Sequence, residues 1–446
     1  MSPSRLLVLT DDRLGPRMAG PAIRASEIAR ALASAARVTL ASLQPVRDFD
    51  LPGVEVRAVA PRELAGLARE HDVLFAGGLL YAQHRALVHS GAAIALDLYA
   101  PFLLEDLQRL RGQGAIGRYL YREHHAGLAW QMRHADFMIC ASERQRDYWL
   151  GRLCALGRLD LEGPRDTSAR SLIDVVPFGI PDIPPVAGEP RLRGVLPGVD
   201  ARSTILLWGG GIWDWLDPLT PIRAAARVQE AHPDLKLVFL AGRSPNPGTP
   251  EGDGARKARA LAADLGALGR SVHFLDTWVP YAERGSLLLE ADWGFSAHHE
   301  HLETRFSFRT RLLDCLWAGL PFLCTAGDSM AEMARMQGLG QALPEADVEA
   351  WMAALTRTVT DPDWRPACAG RVREVADAFT WSRAVEPLAR FVSCPGHEQG
   401  GLRFDWPVLP GWSGLALKAG LSLAGEGPSG LVSRIRRKLG VRGDAP

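Results

Sequence analysis

The sequence predicts an α/β protein built from two parallel-sheet domains in succession. Three observations predict it: short apolar runs alternate with helix-length segments from Leu6 onward, a proline- and glycine-bearing connector interrupts the chain, and the alternation restarts beyond it. With 446 residues the chain exceeds what one hydrophobic core organises. Its 47% hydrophobic and 23% charged residues are those of a soluble globular protein, and no apolar run approaches the roughly 20 residues that span a bilayer.

The N-terminus, MSPSRLLVLTDD, runs straight into a strand at Leu6 to Leu9 without a secretory pattern, so a cytoplasmic location is expected. The loop that follows carries Gly15, Pro16, Gly20 and Pro21 into a helix over about Ala22 to Ser34. Gly20 lets backbone N–H groups approach a phosphate there, while a tight turn explains the same glycine. Strands follow at Val38 to Leu40, Val54 to Val59, Val73 to Phe75, Ile94 to Leu98, Phe137 to Ile139 and within IDVVPFGIP, which closes a first domain at residue 182. A linker over 183–203 has no periodicity of its own.

The second domain, 204–378, restarts with a strand Ile205 to Trp208, a glycine turn, a helix over about Pro218 to Ala231, and strands Leu235 to Ala241 and Val272 to Leu275. A dinucleotide fingerprint would need glycine where Asp214 or Trp215 stands, so NAD binding is disfavoured. Trp208, Trp213 and Trp215 offer faces for a base or sugar ring, or pack the helix on the sheet. Arg243 follows a strand end, where a cation enters a cleft or meets solvent.

The most informative stretch is Ser296 to Thr325. Ser307 is expected to cap a helix whose apolar stripe is Leu312, Leu313, Leu316 and Leu320, with Gly319 and Pro321 as its stop and a strand Phe322 to Cys324 after it. Arg309 and Arg311 fall in the first turn, where two cations oppose the helix dipole. A bound phosphate would reverse that penalty; solvent-exposed arginines are the competing reading. The cluster His298, His299, Glu300 and His301 lacks the HExxH spacing of a metal site, so no metal is expected, and contacts to a donor sugar or acceptor are the better use. Glu303 stands just ahead of the cationic turn, placed to accept hydrogen bonds from sugar hydroxyls, and Asp314 lies two turns beyond Ser307. No nucleophile elbow, Walker loop or Cys/His pair is present. The six cysteines are spread without close pairing, as reduced thiols are.

Formal net charge is zero, yet residues 401–446 hold seven basic residues against three acidic ones. Within this tail, LVSRIRRKLG interleaves Leu431, Val432, Ile435 and Leu439 with four cations, so 431–442 either lies on an anionic membrane surface or docks on the protein. A nucleic-acid partner is not expected.

In this order the pieces resemble the GT-B glycosyltransferases, specifically the retaining family 4. The likeness covers residues 5 to about 392 and rests on AGPAIRASEIARALA, ADFMICASERQRDYWL, IDVVPFGIP, VHFLDTWVP, LLEADWGFSAHHEH, RLLDCLWAGLPFL and FTWSRAVEPLARF. It implies two facing Rossmann-like domains around a cleft, a nucleotide-sugar donor held mainly by the second and an acceptor by the first. It also implies a crossing helix, 379–394, ahead of a tail, 395–446.

Family members carry a Glu, seven intervening residues and a second Glu. Asp314 matches the second, which implies contact with the donor ribose; Phe306 stands in place of the first, and Glu303 is the substitute. Ile212, Trp213, Asp214 and Trp215 replace the loop that usually supplies Arg and Lys to the diphosphate, so Arg243, Arg309 and Arg311 are left to do so. Leu96-Asp97 stands where many relatives have His-Asp. The implied catalytic residues are Asp97, Glu303 and Arg309. The implied donor contacts are Gly20, Gly210, Gly211, Trp213, Arg243, His299, Ser307, Phe308, Arg309, Arg311 and Asp314. The resemblance implies transfer to a glycan, lipid-linked or small-molecule hydroxyl with retention, in surface polysaccharide or glycolipid synthesis, without cofactor or metal. A sugar-nucleotide epimerase, a pseudo-glycosyltransferase and a non-catalytic binding protein on this fold are the rival readings.

Overall fold

A computed structural model describes residues 3–159, 167–213, 215–240, 253–277 and 279–396. Arg243, Asp214 and the basic segment 431–442 lie outside the described residues.

The N-terminal sheet comprises β1 (Arg5–Thr10), β2 (Arg37–Ser42), β3 (Val54–Ala58), β4 (Val73–Gly77), β5 (Ala93–Asp97), β6 (Phe137–Cys140) and β7 (Ile173–Val175) in the order β3-β2-β1-β4-β5-β6-β7. The C-terminal sheet comprises β8 (Thr204–Trp208), β9 (Leu235–Leu240), β10 (Val272–Leu275), β11 (Trp293–Ser296), β12 (Phe322–Thr325) and β13 (Gly340–Leu343) in the order β10-β9-β8-β11-β12-β13. Every neighbouring pair is parallel. Such sheets bury both faces, which is why their strands read as continuous apolar runs. Leu7, Leu9, Leu74 and Met138 fill one face of the first sheet, and Leu6, Val8, Phe75 and Ile139 the other. The strand β13 escaped the sequence reading because Gly-Gln-Ala-Leu has no β-branched residue. Gly340 is required there: its φ is +154° and a Cβ would lie 1.9 Å from the Phe322 carbonyl oxygen.

The helices that shape the site are α1 (Gly20–Leu32), α2 (Phe102–Arg109), α3 (Gly114–His134), α4 (Glu143–Ala155), α5 (Leu302–Phe306), α6 (Thr310–Ala318) and α7 (Ser329–Gln337). A last one, α8 (Glu386–Ser393), returns to the first domain. Leu388 and Val392 enter the core with Leu6, Val8 and Phe137, and the Phe391 ring stacks on Phe137 at 4.9 Å. The chain crosses at Ile180, whose N–H donates to the Phe379 carbonyl at 2.8 Å and whose carbonyl accepts from Trp381 N–H at 2.9 Å.

The start of α6 differs from expectation. Arg309, not Ser307, occupies the cap position, because the short helix α5 intervenes and the Ser307 hydroxyl donates to the Thr304 carbonyl at 3.0 Å. The stop is as expected: Gly319 takes the left-handed conformation at φ 68°.

Candidate active site

In both sheets the strand order reverses beside the first strand, between β1 and β4 and between β8 and β11, and crevices for ligands open beyond the carboxyl ends at such points. In the second domain this brings the Gly209–Gly211 turn, the loop 297–301 and the tip of α6 together. Asp217 N–H donates to the Ala297 carbonyl at 3.0 Å, which ties the first two loops. Arg311 Nη2 donates to the Gly211 carbonyl at 3.1 Å, and its guanidinium lies over the Trp208 ring at 4.7 Å, which ties the third.

Neither arginine of the turn points into bulk solvent. Arg309 is 8% exposed and grips Glu303 with two nitrogens, at 3.1 and 3.4 Å, while its Nε lies 3.5 Å from Asp328. Its charge is therefore matched within the protein. Arg311 has no carboxylate partner among the described residues, and its buried Nη1 makes no hydrogen bond. Burial first, and the neighbouring Arg309 charge second, pull the Arg311 guanidinium down to about 9. In the same loops and helix starts, His298 Nδ1, Ser296 Oγ and Ser329 Oγ are also buried without hydrogen bonds within the described residues. Buried polar atoms are ordinarily satisfied, so these unsatisfied groups at the carboxyl ends of the strands are candidates for contact with another molecule's polar groups.

The remaining expected residues divide. A Cβ at Gly20 or Gly210 would meet nothing within 4 Å, so both border open space, and Trp213 is partly exposed with its ring stacked on Trp215 at 5.6 Å. His299 pairs with Glu345 at 3.3 Å. Asp314 accepts from Arg284 Nε at 3.0 Å, and that guanidinium is sandwiched by Tyr281 and Trp317, so the expected ribose carboxylate already has a cationic partner. Two expected donor contacts are not brought to the crevice. Ser307 is turned into α5, and Phe308 packs in the apolar cluster with Phe379. Asp97 is not a free acid either: it accepts from buried Arg24 at 2.6 and 3.2 Å and from Tyr99 N–H at 3.0 Å. The pair orients Tyr99, which lies on the Arg24 guanidinium at 4.6 Å and bonds the Thr310 side chain at the tip of α6. Burial pushes the Tyr99 phenol up to about 12, so it is a neutral hydrogen-bonding group.

Sequence reasoning missed the first domain's contribution. Glu105 stands in the first turn of α2, a helix that packs against α5, and the charges of Glu303 and Arg309 act on it. Burial first and the Glu303 charge second push its carboxyl up to about 7. Gln145 is fully buried and donates to the Tyr99 and Phe306 carbonyls, both at 2.9 Å, and Arg144 donates to the Gly327 carbonyl at 3.0 Å. Asp328, which caps α7 through Ala331 N–H at 2.8 Å, also lies 3.3 Å from His298 Nε2. The signal was in LYAPFLLE, where an acid closes an otherwise apolar turn. Among the described residues no group of three or more His, Cys, Asp or Glu side chains is placed to hold a metal ion, and no helix is long and apolar enough to cross a membrane.

No protein-family model matches the sequence, and no curated protein matches it. Solved structures do match in fold. Anabaena HepE in complex with UDP and glucose aligns with a TM-score of 0.66 at 14% identity, over 87% of this chain and 99% of that one. Sucrose-phosphate synthase from Thermosynechococcus elongatus aligns with a TM-score of 0.61 at 15% identity, over 88% and 98%. WaaG, a glycosyltransferase involved in lipopolysaccharide biosynthesis, aligns with a TM-score of 0.57 at 17% identity, over 88% and 100%. The chain therefore has the GT-B architecture of these enzymes: two Rossmann-like domains and a crossing C-terminal helix.

Proposed function

We propose that the protein is a glycosyltransferase that moves a sugar from a nucleotide-diphosphate donor to an acceptor hydroxyl, with retention of anomeric configuration and without a metal. The observation that carries the proposal is Arg311, beside the glycine turn at the tip of a helix, with no carboxylate partner among the described residues and a buried Nη1 that makes no hydrogen bond there. A pyrophosphate supplies the missing charge. That structural neighbours were solved with UDP and UDP-glucose supports the same class of donor.

In the reaction the acceptor oxygen bonds to the anomeric carbon, the bond from that carbon to the diphosphate oxygen breaks, and the departing diphosphate takes the electron pair. Arg311 and the first N–H groups of α6 face this charge in fixed positions, so little reorganisation is needed as it develops. The acceptor proton leaves with the diphosphate, so no protein nucleophile is required. Arg309 holds Glu303 at the sugar side, and Asp97 acts by orienting Arg24 and Tyr99. A role in surface polysaccharide or glycolipid synthesis, with the basic tail on an anionic membrane, belongs to the same proposal.

Incubation with a panel of nucleotide sugars tests it. Free nucleoside diphosphate released on addition of an acceptor supports transfer. Isomerised donor would make the protein an epimerase, and binding without turnover would make it a binding module.

A further inference from the structure

One guanidinium of the first domain holds both segments of the second that carry acids onto Arg309. Arg144, in the first turn of α4, donates from Nη1 to the Gly327 carbonyl at 3.0 Å and to the Arg305 carbonyl at 3.3 Å, and its Nη2 pairs with Glu332 of α7. Gly327 immediately precedes Asp328, and Arg305 stands two residues after Glu303. Those two carboxylates face Arg309, at 3.5 and 3.1 Å. The neighbours of Arg144 make the same crossing: Gln145 joins the Tyr99 carbonyl of the first domain to the Phe306 carbonyl of the second, both at 2.9 Å, and the Tyr148 ring lies 5.0 Å from Phe306.

Among the described residues, every hydrogen bond of the Arg144 guanidinium goes to the second domain. A cation in the first turn of a helix opposes the dipole, so α4 does not favour an arginine there for its own sake. Its ion pair with Glu332 is partly exposed, 31% and 47% for the two side chains, so the pair alone contributes little and is screened by salt. What makes the contact specific is the planar fork, which reaches two carbonyls and a carboxylate together.

We propose, resting on the transferase reading, that Arg144 is a positioning residue of the transfer site and the latch of its cleft. The contact that brings α4 onto the second domain also sets α5 and the Gly327–Asp328 turn, so Glu303 and Asp328 close on Arg309 when the domains are together. Parting the domains releases both segments at once, because one side chain holds both. Raised ionic strength weakens the exposed pair with Glu332, which makes the latch salt-sensitive.

Amide hydrogen exchange and small-angle X-ray scattering are recorded on the ligand-free full chain, as wild type, Arg144→Ala, Glu332→Ala and the double variant. In Arg144→Ala, exchange is expected to quicken by about tenfold or more over residues 302–308 and 326–331 together, with β8 and β11 unchanged, and the radius of gyration to rise. Glu332→Ala is expected to give a smaller change of the same kind, and the double variant to match Arg144→Ala. Raising salt from about 0.1 M to about 1 M, which shortens the screening length to about 3 Å, is expected to enlarge the wild type and leave Arg144→Ala as it was. With nucleotide sugar and acceptor, Arg144→Ala is expected to lower kcat by about tenfold or more at unchanged donor KM. Faster exchange in one segment without the other, an unchanged radius of gyration, or additive effects of the two single variants overturns the latch. An unchanged kcat overturns the positioning role. If Arg144→Ala does not fold, Glu332→Ala and the salt series decide. Absence of turnover by the wild type counts against the transferase reading instead, and the ligand-free measurements still decide the latch.

Discussion

Arg309 and Arg311 sit two residues apart at one helix tip and face different partners. Arg309 neutralises Glu303 and Asp328 in a buried cluster, and removing it strands two acids. Arg309→Ala is expected to cost about 3–5 kcal/mol of stability, read as a fall in the denaturant midpoint. Arg311 bonds the Gly211 carbonyl and covers the Trp208 ring but pairs with no acid among the described residues, so Arg311→Ala is expected to lower the midpoint less than Arg309→Ala does. The cationic turn was legible in the sequence because charge at a helix start is a one-dimensional pattern. Its division of labour was not, because Asp328 lies across another strand and Gly211 across the sheet. The same limit hid Glu105, which lies 198 positions from Glu303 by numbering, and the pairing of Asp97 with Arg24 of α1.

At the scale of elements, α5 is a five-residue helix held from the other domain. Gln145 donates to the Phe306 carbonyl that ends it, the Tyr148 ring lies 5.0 Å from Phe306, and Arg144 reaches the Arg305 carbonyl at 3.3 Å. So short a helix has little intrinsic stability, and these contacts from α4 fix its position. Gln145→Ala removes the donor to two part-buried carbonyls. Amide hydrogen exchange over residues 302–308 is expected to accelerate by about tenfold or more in this variant, while that of β8 and β11 is unchanged. The strands were legible as apolar runs, and the stop of α6 as a glycine followed by a proline. The insertion of α5 was not: Leu302–Phe306 has neither capping residue nor periodicity to mark a separate helix.

In the molecule as a whole, two sheets with separate cores are joined by the linker and by the returning C-terminal segment. Trp381 is fully buried in the first domain's core, and Gly179 packs so closely on it that an added Cβ would lie 2.5 Å from its ring. Trp381→Ala is expected to destabilise by about 3–5 kcal/mol and to split one thermal transition into two, measured by calorimetry. The two-domain plan was legible because the alternation of strand and helix stops and restarts. The facing of the domains depends on Ile180, Trp381 and Gln145 meeting partners far along the chain, which local pattern does not encode. Calorimetric titration of UDP and of uridine into the wild type and Arg311→Ala tests the diphosphate site most directly. The variant is expected to lose about 1.5–3 kcal/mol of UDP affinity and to bind uridine as the wild type does. Equal losses for UDP and uridine, or none for either, would contradict a pyrophosphate at Arg311.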